Sequence, residues 1–495
     1  MLFFDDLFLY HRENLTRKVG HPRLVSRFED PYLEVAWGYP SVFQDPSTGR
    51  WRCAYQGIPR SHRGRQATSC SPQRGFVPVI CESDDGLNWE IPNLDRVVDF
   101  TDREVPHQVM PLSAFGEWSP TFHDTHTENS AEQFKGLVSL LSDAGRHESR
   151  APLWVSPDGI TWTEAKGRSW HPIGIDPIGY PFWNAPRGTY VFTARPSPGD
   201  RRIAVYETSD WQSFSKPEIA LQADALDSPV ALMYGMPVLP YDEYFVGFLW
   251  IFHTDPNPVT DAPTGDMSRF SRHVAKRDHK GYLGRIECEL AYSTNGWHFQ
   301  RGLRDAFIPN TAPGDDGAGQ IYPSSFWRTD DCIRIYSSSA RYEHGQTEDA
   351  DGGSQSALLV HELRPDGFVF LESGGGWGRM QTRTLFCSGS ELTINVLVPH
   401  GEVKLQVTDE FGKPLEGYEF SKSVPFTGDD LSWQPRWRDG AKFKMLEGRL
   451  IRLDIRILNG RLYAIRGRIH PVGPLESRSY SSGGSPPSSI SSYAR

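Results

Sequence analysis

A two-part unit recurs five times in the first three-quarters of the chain, and it limits the possible folds more than any other feature. The first part is an apolar stretch containing a proline, followed by a polar turn and an aromatic-rich strand. It occurs at 37–43, 118–122, 178–183, 233–239 and 320–326, with prolines Pro40, Pro120, Pro181, Pro237 and Pro323. The proline separations are 80, 61, 56 and 86 residues. The second part is a Ser/Asp/Gly/aromatic turn at 83–89, 156–162, 208–214, 293–299 and 364–370, the third copy being degenerate. Asp or Asn before Gly favours a tight turn with positive φ. An aromatic residue shortly afterwards can fold back onto the sheet. The Asp residues of these turns (Asp85, Asp158, Asp366) are therefore read as structural.

No single copy can bury both faces of its own sheet, so the copies must stack. Five four-stranded units predict an all-β fold, a five-bladed β-propeller over residues 1–375. Composition agrees: 46 Gly, 38 Pro and 12% aromatic residues favour turns and strands over helices. Residues 380–470 change to period-2 alternation, as in Leu392–Val398 and Leu450–Ile457, which predicts a small β-sandwich domain. Residues 471–495 are rich in Ser, Gly and Pro, and a disordered tail is expected there.

The net charge of −10 is the wrong sign for a nucleic-acid footprint. No apolar run approaches the ~20 residues that span a bilayer. Asp5 and Asp6 interrupt the apolar N-terminus, so no secretory leader is recognised and a cytoplasmic location is expected. The six cysteines show no CxxC pairing and read as free thiols. No Gly-rich phosphate loop and no Gly-x-Ser-x-Gly elbow occur, which removes support for nucleotide-dependent and serine-hydrolase chemistry.

In a propeller the innermost strands converge on the axis, so chemistry is expected where they open. Carboxylates just before those strands are Glu34, Asp176, Asp227 and Asp316, with Glu117 and Asp315 nearby. Carboxylates from different blades sharing one funnel would repel and push at least one pKa up. A general acid beside an ionised base or nucleophile is what glycosidic cleavage needs. The candidate catalytic residues are thus Asp176, Asp316, Glu34 and Asp227. Trp37, Trp118, Tyr180, Tyr234 and Tyr322 lie at the same level and could stack on sugar faces, with His253 orienting hydroxyls. The plain alternative for each ring is packing between blades, and for each carboxylate a turn cap. No paired ligand spacing recurs, so neither a metal nor a cofactor is expected.

Residues 174–190 and Arg50–Gln56 carry a resemblance to the five-bladed propeller glycoside hydrolases, families 32 and 43 and the family-32-like bacterial proteins, over residues 20–372. Asp176 would match the second carboxylate of those enzymes. The resemblance implies a glycoside hydrolase acting on a carbohydrate substrate. The match fails at two places. Trp37 stands near the slot of the first catalytic Asp, with Glu34 and Asp30 the nearest acids, and Leu232, Met233 and Tyr234 stand where an acid Glu is expected. Glu287-Cys288 looks like the fructan acid motif but falls on a late strand of the fourth unit. Two rival readings follow: a non-catalytic carbohydrate-binding propeller, and a glycan phosphorylase that would need Arg, Lys or His to hold phosphate.

Overall fold

The computed structural model describes residues 1–35, 38–60, 76–95, 97–100, 103–110, 117–139, 150–171, 179–197, 200–254, 284–344 and 356–487. The described residues are dominated by strands. They form two compact units, Pro22–Leu363 on the one hand and Met1–His21 with Arg364–Arg495 on the other. The sequence expectation placed the boundary near 375 and the N-terminus in the first unit. The difference has a backbone cause: Leu9–Glu13 pairs with Gly378–Thr382, and Thr16–Val19 pairs with Val369–Ser373.

Pro22–Leu363 is built from groups of antiparallel strands in chain order, the fourth and fifth joined into one sheet by a parallel pair, Ile286 with Gln320. In the first, Leu33–Val35 and Ser41–Gln44 both pair with Trp51–Pro59, which pairs with Val77–Ser83. The second runs from Glu117–Trp118 and Phe122–His123 through Phe134–Ser139 and Ala151–Ser156 to Thr163–Trp170. The third is Tyr180–Asn184, Thr189–Ala194, Ile203–Thr208 and Glu218–Leu221. In the fourth, Ala231–Gly235 and Val238–Tyr241 pair with Tyr244–Thr254, which pairs with Gly284–Ser293. The fifth is Gln320–Arg328, Ile333–Ala340 and Ser356–Leu363, completed by the early strand Arg23–Phe28. The repeated proline explains why the first strand of groups one, two and four is split: Pro40, Pro120 and Pro237 fall between its two halves. A proline has no N–H to give to a ladder. In group five the register shifts just after Pro323.

The Asp–Gly turns behave as one local device. Ser83 Oγ accepts from the N–H of Asp85 and Gly86, and Asp85 Oδ1 accepts from Leu87 and Asn88. The same pattern recurs at Ser156/Asp158, Thr208/Asp210 and Ser293/Asn295. Backbone N–H groups, led by that of Asn88, hold the Asp85 carboxyl well below its ordinary range. The degenerate third copy keeps the geometry with Trp211 itself at φ +59°. The fifth copy departs. It lies in the other unit, Asp366 takes the positive φ, and its carboxylate accepts from Arg466 and Asn395.

The other unit is an eight-stranded sheet in which Leu385–Thr408 pairs with Phe426–Trp433, Leu450–Leu458 and Gly460–Pro471. Its core contains Leu405, Val407, Leu453, Ile455 and Ile457, all fully buried. Within the tail expected to be disordered, Pro474–Ser481 is helical. Tyr480 anchors that helix by stacking edge-on against Phe386 and donating to the Gly448 carbonyl at 2.6 Å. Composition missed this because one partly buried aromatic outweighs several neighbouring serines. Four cysteines are buried free thiols and Cys332 is half-buried, whereas Cys70 lies outside the described residues. No helix among the described residues is long and apolar enough to cross a membrane.

His361, on the strand Ser356–Leu363, is 6% exposed, and burial pushes its pKa down to about 4. The unfolded chain then binds a proton, near pH 6.5 and below, that the folded state refuses. Stability is complete above about pH 6.5 and falls on acidification, by about 3 kcal/mol at pH 4 for this one group. We expect His361→Leu to flatten that part of the pH profile in urea titrations. An unchanged wild-type-minus-variant difference from pH 7 to pH 4 would refute the assignment.

Candidate functional site

Four strand groups send a tyrosine to one place. Tyr39 precedes Ser41–Gln44, Tyr180 opens the third group, Tyr234 lies in Ala231–Gly235, and Tyr322 lies in Gln320–Arg328. They surround Trp250, whose ring centroid lies 5.4 Å from Tyr39, 5.1 Å from Tyr180, 4.9 Å from Tyr322 and 6.4 Å from Tyr234. Trp250 is fully buried and its Nε1–H donates to the Pro323 carbonyl at 3.1 Å. Gly235 permits this approach, since a Cβ there would meet the Trp250 ring at 2.9 Å. Most of these rings meet edge-on or tilted, the favoured arrangement for their quadrupoles.

Polar groups stand beside this cluster. Tyr322 donates to Gln320 Oε1 at 2.5 Å, and burial pushes its phenol well above the usual pKa, so it stays a neutral donor. The Tyr234 hydroxyl lies 3.2 Å from His344 Nε2. The guanidinium carbons of Arg195 and Arg201 lie 5.1 and 5.2 Å from the Tyr234 ring centroid. On the adjoining strands, His253 Nε2 lies 2.9 Å from Glu287 Oε1, and both side chains are partly exposed.

The predicted site residues divide into those the fold gathers and those it does not. Tyr180, Tyr234 and Tyr322 come together. Trp118 does not: its ring meets Trp162 edge-on at 4.8 Å and fits against Gly136, where a Cβ would meet it at 2.2 Å. It is packing between the first two groups, with Phe43, Ile80 and Phe134. Asp227 is likewise a correction. Both its oxygens accept from Arg301, at 2.7 and 2.8 Å, and Oδ1 also from Arg304 at 2.8 Å. Burial raises its pKa, but the backbone N–H and the two guanidinium groups more than offset this, and the carboxyl sits below its ordinary range. Asp316 pairs with Arg27 and, at 2.9 Å, with Arg341, joining the segment before Gln320 to the closing strand Arg23–Phe28. Each is held by a different pair of arginines. Asp176 and Trp37 lie outside the described residues. Glu34 has its backbone in Leu33–Val35, while its side chain is outside them.

Asp30 lies shortly before Leu33–Val35. It is 4% exposed and accepts from Tyr55 at 2.6 Å and from the Tyr32 N–H at 2.8 Å, with His107 Nε2 at 2.9 Å. Burial pushes its pKa up, but His107 and Tyr55 outweigh that and keep it lowered. It borders a small cavity with Gly38, Pro40, Cys53 and Tyr55. Sequence reasoning missed Tyr39, Trp250, Arg195, Arg201 and His344. Tyr39 had a usable signal, because a Tyr-Pro pair recurs at 39–40, 180–181 and 322–323.

No family model matches the chain, and no curated protein matches it either. Solved structures do. They include an N-acetylgalactosamine deacetylase from F. plautii in complex with blood group B trisaccharide, at 12% identity and TM-score 0.44, covering 72% of this chain and 97% of that one. The catalytic domain of the Coprinopsis cinerea GH62 alpha-L-arabinofuranosidase matches at 12% identity and TM-score 0.40, over 70% and 98%. A thermostable family-43 glycoside hydrolase matches at 12% identity and TM-score 0.39, over 69% and 95%. Two of these three structures are glycoside hydrolases, of GH62 and family 43, and all three match at low identity.

Proposed function

We propose that Pro22–Leu363 is a five-bladed β-propeller that acts on a glycan above its axial tyrosines, as a glycoside hydrolase. The other unit is then the appended β-sandwich. The observation that carries this reading is the convergence of Tyr39, Tyr180, Tyr234 and Tyr322 on Trp250 from segments far apart in the chain. An aromatic floor beside fixed hydroxyl and imidazole groups suits the apolar faces and hydroxyls of a sugar. Asp176 and Glu34 are the proposed carboxylates, and Glu287 with His253 adds a partly exposed carboxylate–imidazole pair.

The test is a screen of p-nitrophenyl furanosides and pyranosides, alongside binding to neutral oligosaccharides. We expect turnover by the wild type and at least a tenfold loss in Asp176→Asn with binding retained. The second reading, a non-catalytic sugar-binding propeller, is favoured by the ion-pairing of Asp227 and Asp316 and by tyrosine before Pro40. Binding without turnover selects it. Failure to bind any glycan overturns both readings.

A further inference from the structure

We infer that Cys53 and Cys81 form a reversible cross-strand disulfide, a latch between two neighbouring strands of the first group that closes when the chain meets a disulfide oxidant such as oxidised glutathione. Cys53 lies in Trp51–Pro59 and Cys81 in Val77–Ser83, and the two residues stand directly opposite each other in the antiparallel ladder. Opposite residues project to the same side of a sheet, with Cα atoms about 4.5–5.5 Å apart. Disulfides span about 4.4–6.8 Å between Cα atoms, so the ladder already sets the distance a bridge requires. The other described cysteines have no such partner. Cys288 stands opposite Trp250, and Cys387 stands opposite Ile469. Cys332 lies outside the strands, its N–H donating to Thr329 Oγ1 at 3.0 Å.

Both side chains are fully buried, in one cluster with Trp51, Trp89, Tyr336 and Val360. A bridge removes two hydrogens and adds no heavy atom, so the packed rings around it need not move apart. A single buried thiol serves as a small apolar core residue. Two in register add a chemistry that neither has alone. Burial, with the Cys53 thiol and the Asp30 carboxylate, holds the Cys81 thiol well above its ordinary pKa, so it stays protonated and inert while the strands are closed. Exchange therefore proceeds from openings of the ladder. One cysteine then loses its proton to solvent, and its thiolate attacks a sulfur of oxidised glutathione, forming a mixed disulfide and releasing glutathione thiolate. The second cysteine, also deprotonated, attacks the protein sulfur of that mixed disulfide and releases the second glutathione thiolate. The two released thiolates take up the two protons. Two protein thiols are oxidised and one glutathione disulfide is reduced. Pairing of the strands supplies the second thiol at high effective concentration. The finished bridge restricts the unfolded chain between residues 53 and 81 and so favours the folded state.

The test uses the full chain, passed through partial unfolding in urea and refolded in either oxidised or reduced glutathione. Intact mass, mapping of unreduced peptides and thermal unfolding are compared for wild type, Cys81→Ala and Cys70→Ser. Cys70 lies between the two cysteines in sequence and is the natural competitor for either. In oxidised glutathione we expect the wild type to lose the mass of two hydrogens and to yield a peptide linking Cys53 to Cys81, with dithiothreitol reversing both. The oxidised form should unfold about 5 °C above the reduced form. Cys70→Ser should behave as wild type, and Cys81→Ala should show neither the link nor the shift. Peptide mapping of the wild type decides the matter even if Cys81→Ala does not fold. Free or glutathione-capped thiols at both positions, or a link through Cys70 instead, overturn the latch. A Cys53–Cys81 link that leaves the unfolding temperature unchanged overturns it as well.

Discussion

Arg301→Met is expected to lower the stability of the Pro22–Leu363 unit by about 3–5 kcal/mol, the usual result of removing one partner from a buried ion network. The Arg301 side chain is 3% exposed, and those of Asp227 and Glu289 are each 7% exposed. Arg301 bridges them, donating to both Asp227 oxygens and, through Nε and Nη2, to one Glu289 oxygen. Without it two carboxylates face each other with little water to screen them, and Asp227 keeps Arg304 and the Asp224 N–H. Burial already pushes the Glu289 pKa up, against the pull of Arg301. Removing the guanidinium should raise it further, so the variant should regain stability as pH falls, because protonation relieves the repulsion. The measurement is the urea midpoint at pH 7 and pH 5 with the m-value compared between proteins. A midpoint shift worth less than about 1 kcal/mol at pH 7 would show that the network is solvated and weak.

The second large effect is expected at the aromatic hub. Trp250→Ala removes the ring that Tyr39, Tyr180, Tyr234 and Tyr322 surround, and should cost about 3–5 kcal/mol through lost burial and a cavity. It also leaves the Pro323 carbonyl without its indole donor. Trp250→Phe keeps most of the packing and loses that hydrogen bond, for a smaller cost of about 1–3 kcal/mol. If the tyrosines are a glycan floor, both variants should weaken oligosaccharide binding at temperatures where they remain folded, alanine more than phenylalanine. Calorimetric affinity measured beside thermal unfolding separates the two effects. Unaltered affinity in a folded Trp250→Ala protein would show that the cluster serves packing alone.

Three tyrosines of the candidate cluster were legible, because their signal is local. The Tyr-Pro and Asp-Gly signals lie within a few consecutive residues, and the inner tyrosines and the outer turns follow from them. The carboxylates were read less well. Asp227 and Asp316 stand before Ala231–Gly235 and Gln320–Arg328, yet their partners Arg301 and Arg27 come from 74 and 289 residues away. Nothing near either aspartate in sequence announces an arginine. Trp118 was read as a stacking ring because it shares the repeat position of the tyrosines; only the packing of Phe43, Phe134 and Trp162 around it turns it into core.

Alternation, turn chemistry and prolines by themselves determined an all-β chain and the recurrence of one local unit along it. Those properties depend on backbone angles and on a period of two, both set by neighbours along the chain. Tertiary structure alone decided that Arg23–Phe28 closes the last group, that Met1–His21 joins Arg364–Arg495, and which carboxylates are spent on arginines. These are choices between partners far apart in sequence, made by burial and charge once the chain has closed on itself, and no local pattern encodes them.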